Sequence, residues 1–200
     1  MARKYVLKRR AERQEETRQR IVDAVVALHE EVGPAQTTIS AIAERAEVER
    51  LTVYRHFPDE RSLFEACSAR FDELHPRPDP RPWTEIADPV ERLRVALTQI
   101  YASFRESEQM LANVYRDAPR VAAIQPVLAT YAPYWTRVST ILLDGWQPAA
   151  DQQPLLAAAA GHALEFQTWR SLVRQHGLTD MEAVELMVCL VACADGCHGQ

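Results

Sequence analysis

Arg50, Leu51, Thr52, Tyr54, Arg55 and His56 stand close together in the chain. Their side chains suit contact with a nucleic-acid duplex, because guanidinium, hydroxyl and imidazole groups donate to phosphate oxygens and base edges. For that they must share one side of a short element. The stretch from Thr37 to Phe57 predicts a short helix, a tight turn at Glu47-Val48-Glu49 and a second short helix. Thr38 is the expected N-cap of the first helix. Ile42, Ala43, Ala46, Val48, Val53 and Phe57 fall where the two helices would meet, and the small Ala43 and Ala46 permit a close crossing. The polar set is then left on an outer edge. A helix of this size fits a major groove, led by its N-terminal end.

The elements that hold this pair are also helical. Apolar residues Ile21, Val22, Ala24, Val25 and Leu28 recur at 3.6-residue spacing and predict a helix over 16–31, ended by Gly33-Pro34. A further helix follows Pro58-Asp59, with Leu63, Phe64, Cys67 and Phe71 apolar. Alternate prolines over residues 75–82 cannot be helical and mark a connector. Beyond it the periodicity predicts helices near 88–107, 108–117, 120–144 (with Pro126 and Pro133 as kink sites), 154–177 and 179–195. Thr179 to Glu182 forms a capping-box pattern at the start of the last one. The fold class is therefore all-α. The expected organisation is a basic, disordered arm over 1–15, a three-helix DNA-binding domain over 16–75, a proline-rich connector over 76–87 and a larger helical domain over 88–200.

The stretch around Thr37–Phe57 resembles the DNA-binding domain of the TetR (tetracycline repressor) family. Thr37-Thr38, Ile42-Ala43, Val48, Tyr54, His56-Phe57 and Leu63 stand at the family's spacing, and the likeness extends over about residues 16–74. Carried over by position, the resemblance implies that Thr38 and Ser40 lie near phosphate and that Arg50, Leu51 and Thr52 enter the groove. Tyr54 and His56 would hydrogen-bond phosphates, with Arg55 beside them. Arg50 then becomes the candidate for bidentate contact with a guanine, and Leu51 for a thymine methyl. Three residues depart from the family pattern. Glu47 replaces a glycine, Glu49 replaces a serine, and Glu60 replaces a lysine at the start of the following helix.

The resemblance also implies a ligand pocket in the larger domain, a homodimer and a double-stranded operator. Phe104, Tyr115, Tyr131, Trp135, His162, Phe166 and Trp169 are the candidate pocket residues, and they suit a small apolar or aromatic effector. The dimer would form through the helices near 154–175 and 179–195. Its expected stripes are Leu155, Ala159, His162, Ala163, Phe166, Trp169 and Val173 on the first, and Val184, Met187, Val188, Val191 and Ala192 on the second. The function expected on these grounds is a transcriptional repressor released from a palindromic operator by its ligand. The alternative is a thiol- or metal-responsive regulator that senses through Cys189, Cys193 and Cys197, which fall at helical spacing before His198.

Composition narrows the classes further. Net charge is −5, which argues against general coating of nucleic acid, yet residues 1–20 carry eight basic side chains against three acidic ones. No long apolar run or signal-like segment is present, so a cytoplasmic protein without a membrane partner is expected. No phosphate-binding glycine loop, nucleophile elbow or zinc-protease motif occurs. The expectation is thus no enzyme, no cofactor and no metal.

Overall fold

A computed structural model describes the backbone of residues 2–196 and the side chains of residues 9–196. Among the described residues every regular element is helical. The chain divides into two compact units.

The first unit comprises residues 1–76 together with 108–130. It contains α1 (Ala2–Glu31), α2 (Ile39–Arg45), α3 (Arg50–His56), α4 (Glu60–Leu74), α6 (Glu108–Asp117) and α7 (Ile124–Ala129). Its core is built on the buried stripe of α1, where Ile21, Val22, Val25 and Leu28 meet Ile42, Ala46, Val53, Phe57 and Leu63. Local chemistry sets the helix ends. The Thr38 hydroxyl accepts from the Ala41 N–H at 3.1 Å, and the Asp59 carboxylate accepts from the Ser62 N–H at 2.7 Å. Glu49, at the N-cap of α3, makes no side-chain capping bond.

Two features of this unit differ from the sequence expectation. The helix of α1 begins at Ala2, where a disordered arm was expected over residues 1–15. Its residues are good helix formers with i,i+3 and i,i+4 pairs such as Arg18–Glu15 and Gln19–Asp23. Residues 108–130, expected in the C-terminal domain, belong to the first unit. The reason is the apolar face that Val114, Ala118 and Ile124 present to Phe64 of α4.

The second unit comprises residues 77–107 and 131–200. It contains α5 (Pro89–Glu106), α8 (Ala132–Leu143), α9 (Gln153–Ala163), α10 (Phe166–Arg170), a π-helical turn (Ser171–Gln175) and α11 (Asp180–Ala194). Leu93, Leu97, Ile100 and Tyr101 of α5 are buried, as are Leu142, Leu156, Val184, Met187 and Val191. The Tyr101 hydroxyl donates to the Ala163 carbonyl at 2.9 Å. Buried Arg92 donates to the carbonyls of Ile86, Ile141 and Asp144, which satisfies the open end of α8. The expected capping box at Thr179–Glu182 is formed.

The helix expected over 154–177 is interrupted at Leu164-Glu165, and the one over 120–144 is divided between α7 and α8. Pro133 occupies the first turn of α8, where a missing N–H costs nothing. None of the described helices is long and apolar enough to cross a membrane.

Candidate nucleic-acid interface

The site starts from the turn between α2 and α3. Glu47 adopts φ 54°, the left-handed region, as its position in place of a glycine foreshadowed. The turn is closed by the Val48 N–H donating to the Ala43 carbonyl at 2.9 Å and by the Arg20 guanidinium donating to the Ala46 carbonyl at 3.0 Å. A left-handed residue with a Cβ is strained by about 1–2 kcal/mol. Glu47→Gly is therefore expected to raise stability by about 1 kcal/mol, read from urea unfolding, with α3 unchanged. A loss of stability in that variant would mean that the Glu47 side chain contributes more than its backbone costs.

The turn aims α3 outward. Val53 and Phe57 are buried and fix the helix against α1 and α2, while Arg50, Leu51, Tyr54 and Arg55 are exposed. Leu51 is 76% exposed and has no packing role. Thr52 is half-buried and its hydroxyl accepts from Arg55 at 3.5 Å. His56 is half-buried, and its pKa lies below the usual histidine value because of burial and the neighbouring Arg55 and Arg18 charges. Thr38 and Ser40 are exposed at the start of α2. The eight residues proposed from the sequence thus sit on α2, on α3 and at their starts, within one unit.

A cleft of about 610 Å3 opens beside the end of α3. Arg9, Arg10, Arg13, Gln14 and Thr17 of α1 line one side, and Arg55 and His56 the other. Among the described residues no acidic side chain lines it. The excess of basic residues near the chain start was visible in the sequence, but not that a helix carries them against α3.

Sequence reasoning missed a tether between α6 and the end of α1. The Asn113 amide donates to the carbonyls of His29 and Glu30 at 2.9 and 2.7 Å. Arg116 donates to the Val32 carbonyl at 3.0 Å, and buried Asp117 accepts from the Ala35 N–H at 3.0 Å. Arg116 also pairs with Asp117 at 2.7 Å, which holds the Asp117 carboxyl below the usual range. Gly33 is favoured there, because φ is 91° and a Cβ would fall 2.6 Å from the Asp117 carboxylate. The signal available in the sequence was Asn113, Arg116 and Asp117 at i, i+3, i+4 on one helix face.

The candidate pocket residues do not gather into one group. Phe104 contacts Trp135, Phe166 and Trp169 with ring centroids 5.6–6.3 Å apart. Phe104, Phe166 and Trp169 are buried. Tyr131 lies under the Arg77 guanidinium, 4.0 Å from its ring centroid. His162 is exposed, and Tyr115 belongs to the first unit. The stripes expected at a dimer interface also need correction. Ala163, Phe166, Trp169, Val173, Val184, Met187, Val188 and Val191 are buried within the chain. The outward apolar residues are Leu155 of α9 and Met181, Leu186 and Leu190 of α11. Both helices are apolar on nearly every side, so periodicity could not tell the inner face from the outer one.

Cys189 and Cys193 are exposed on α11, and Cys197 lies outside the described residues. Among the described residues no group of three potential metal ligands converges.

Comparison with known proteins agrees with this geometry. Residues 21–67, which span the buried half of α1, α2, α3 and much of α4, match the profile of the bacterial regulatory proteins of the tetR family. The match covers residues 21–67, the segment that holds α2 and α3. It is 33% identical over 120 residues to the HTH-type transcriptional repressor KstR of Rhodococcus jostii (strain RHA1), an alignment covering 57% of this chain and 55% of that protein. The chain thus matches only about half the length of this curated relative. Among solved structures, a TetR-like transcriptional regulator from Rhodococcus sp. RHA1 superposes with a TM-score of 0.60 at 21% identity, covering 88% of this chain and 93% of that one. The fatty acid degradation regulator FadR from Bacillus halodurans superposes with a TM-score of 0.55 at 17% identity, covering 90% and 95%. These likenesses establish a shared fold.

Proposed function

We propose that the chain is a DNA-binding transcriptional regulator, acting as a repressor that a small apolar or aromatic effector releases from its operator. The observation that carries the reading is the two-sidedness of α3. Val53 and Phe57 lock it into the core, and Arg50, Leu51, Tyr54 and Arg55 stand in solvent with no packing task. An exposed helix held rigidly by its neighbours is what groove reading requires, since phosphate contacts position it and base contacts specify sequence. Arg50 at its N-terminal end would read a guanine. Thr38, Ser40, Thr52, Tyr54, Arg55 and His56 would hold the flanking backbone.

The protein would act as a cytoplasmic homodimer through α9 and α11, with its two α3 helices about 34–36 Å apart on a palindromic site. The cluster of Phe104, Trp135, Phe166 and Trp169 supports an effector of aromatic or apolar character, bound where those rings separate. Ligand and DNA would then favour different conformers, and each would weaken the other's binding equally.

The test is binding of the purified protein to duplex DNA from upstream of its own gene, across a salt series, beside a scrambled duplex of equal length. Arg50→Ala is expected to lose about 1–3 kcal/mol of preference per half-site while keeping non-specific affinity. Tyr54→Phe should weaken both duplexes to a similar degree, as removal of a phosphate contact does. Equal affinity of the unaltered protein for both duplexes at every salt concentration would sink the proposal.

A further inference from the structure

The cleft between α1 and the end of α3 has chemistry of its own. Arg9, Arg10 and Arg13 face Arg55 and His56 across an open space of about 610 Å3, with no carboxylate among the described residues of its lining. On α1 the lining positions follow a helical stripe (9, 10, 13, 14 and 17), so one face of the helix carries all of them. Glu15 pairs with Arg18 off this stripe. The Thr17 hydroxyl donates to the Arg13 carbonyl at 2.8 Å, so guanidinium groups and the Gln14 amide are the donors that face a ligand. Burial lowers the His56 pKa, the Arg55 and Arg18 charges add to that, and Glu15 opposes them. An anion entering the cleft would meet the Arg9, Arg10, Arg13 and Arg55 charges.

We propose that this cleft seats phosphates of the DNA backbone outside the bases read by α3, so that the exposed half of α1 is a second, sequence-blind DNA-contacting element. The inference rests on the DNA-binding reading above and extends its footprint. A duplex backbone suits the geometry better than a small free anion. Arg9 and Arg13 are offset by roughly 6 Å along the helix axis, and a single strand presents a charge every 3.4 Å or so of duplex axis. The guanidinium groups are thus spread over more than one phosphate. The cleft is also continuous with α3, since Arg55 and His56 contribute to both.

The experiment compares the full chain with an Arg10→Ala, Arg13→Ala double variant on two DNA series: the upstream duplex with flanks trimmed stepwise, and a scrambled duplex. Circular dichroism checks helicity, which alanine at exposed helical positions preserves. The expected result is a roughly tenfold weaker affinity for both sequences and a salt dependence shallower by about 0.9 for each phosphate that the variant no longer neutralises. The preference for the operator should stay the same, and the benefit of long flanks should disappear. The proposal is overturned if the double variant keeps the affinity, salt slope and flank dependence of the unaltered chain. Weakening confined to the operator sequence would also overturn it, because it would place these arginines in base reading. So would weaker binding to vesicles of anionic lipid with DNA affinity intact. If the unaltered chain binds the upstream duplex and Arg50→Ala abolishes its preference, a failure here leaves the regulator reading standing. If the unaltered chain binds no DNA, both fall together.

Discussion

Asp117→Ala is expected to lower the stability of the first unit by about 2–3 kcal/mol. Asp117 is 2% exposed, yet it lies on the short helix α6 and bonds a loop far away in sequence. Removing its carboxylate strands the Ala35 N–H and releases Arg116, whose guanidinium reaches the Val32 carbonyl. A partly buried donor left unmade costs about 1–3 kcal/mol. The Arg116 pair adds less, because Arg116 is half exposed and water screens it. Asp117→Asn keeps one acceptor and should recover part of the deficit. The measurement is urea unfolding at neutral pH by circular dichroism. A shift below about 0.5 kcal/mol would show that water replaces the tether, as it does at ordinary surface positions.

The second large effect is on acid stability, through His29. This imidazole is 3% exposed and packs on Phe64, and its Nδ1 lies 3.4 Å from the Cys67 sulfur. Burial lowers its pKa from 6.5 to about 4, with Asp117 pulling weakly the other way. The same burial pushes the Cys67 thiol up to about 12, so the pair is neutral on both sides. The unfolded chain binds a proton at His29 from pH 6.5 downward, whereas the folded chain resists until about pH 4. Stability from this group is complete above pH 6.5 and drains away as pH falls towards 4.

At 1.36 kcal/mol per pH unit, the loss between pH 8 and pH 5 is about 2 kcal/mol. Carboxylates titrate mainly below this window, so it isolates histidine. His56, with its pKa also lowered, contributes in the same direction. Urea midpoints at pH 8 and pH 5 should therefore separate by much less in His29→Gln than in the unaltered chain. An equal separation in both would assign the acid sensitivity elsewhere.

Much of this architecture was legible in the residues. The α2–turn–α3 unit was readable because several signals agreed: Thr38 as a cap, small Ala43 and Ala46 at the crossing, and Val53 and Phe57 on the face opposite Arg50 and Tyr54. Glu47 in a left-handed turn followed from the spacing of the family motif. Three things were not readable, each for a physical reason. A stretch dominated by charge, with Tyr5, Val6 and Leu7 adjacent and not spaced at helical intervals, gives no periodic signal, so the first turns of α1 read as an arm. The allegiance of residues 108–130 depends on a contact between Phe64 and Ile124 that no local pattern encodes. The faces of α9 and α11 could not be sorted, because alanine, valine and leucine surround both helices and burial is decided by neighbours distant in sequence.

The composite make-up of the first unit has a consequence for protein engineering. A chimeric regulator made by cutting at the proline strip would carry residues 1–76 without 108–130. Its donor half would lack the amide that covers the carbonyls of His29 and Glu30, and the apolar partners of Phe64. A graft that keeps α2 and α3 on their full support needs three crossovers, one at the proline strip and one on each side of the α6–α7 segment. The first unit is therefore transplantable as a folded body, but not as a contiguous cassette.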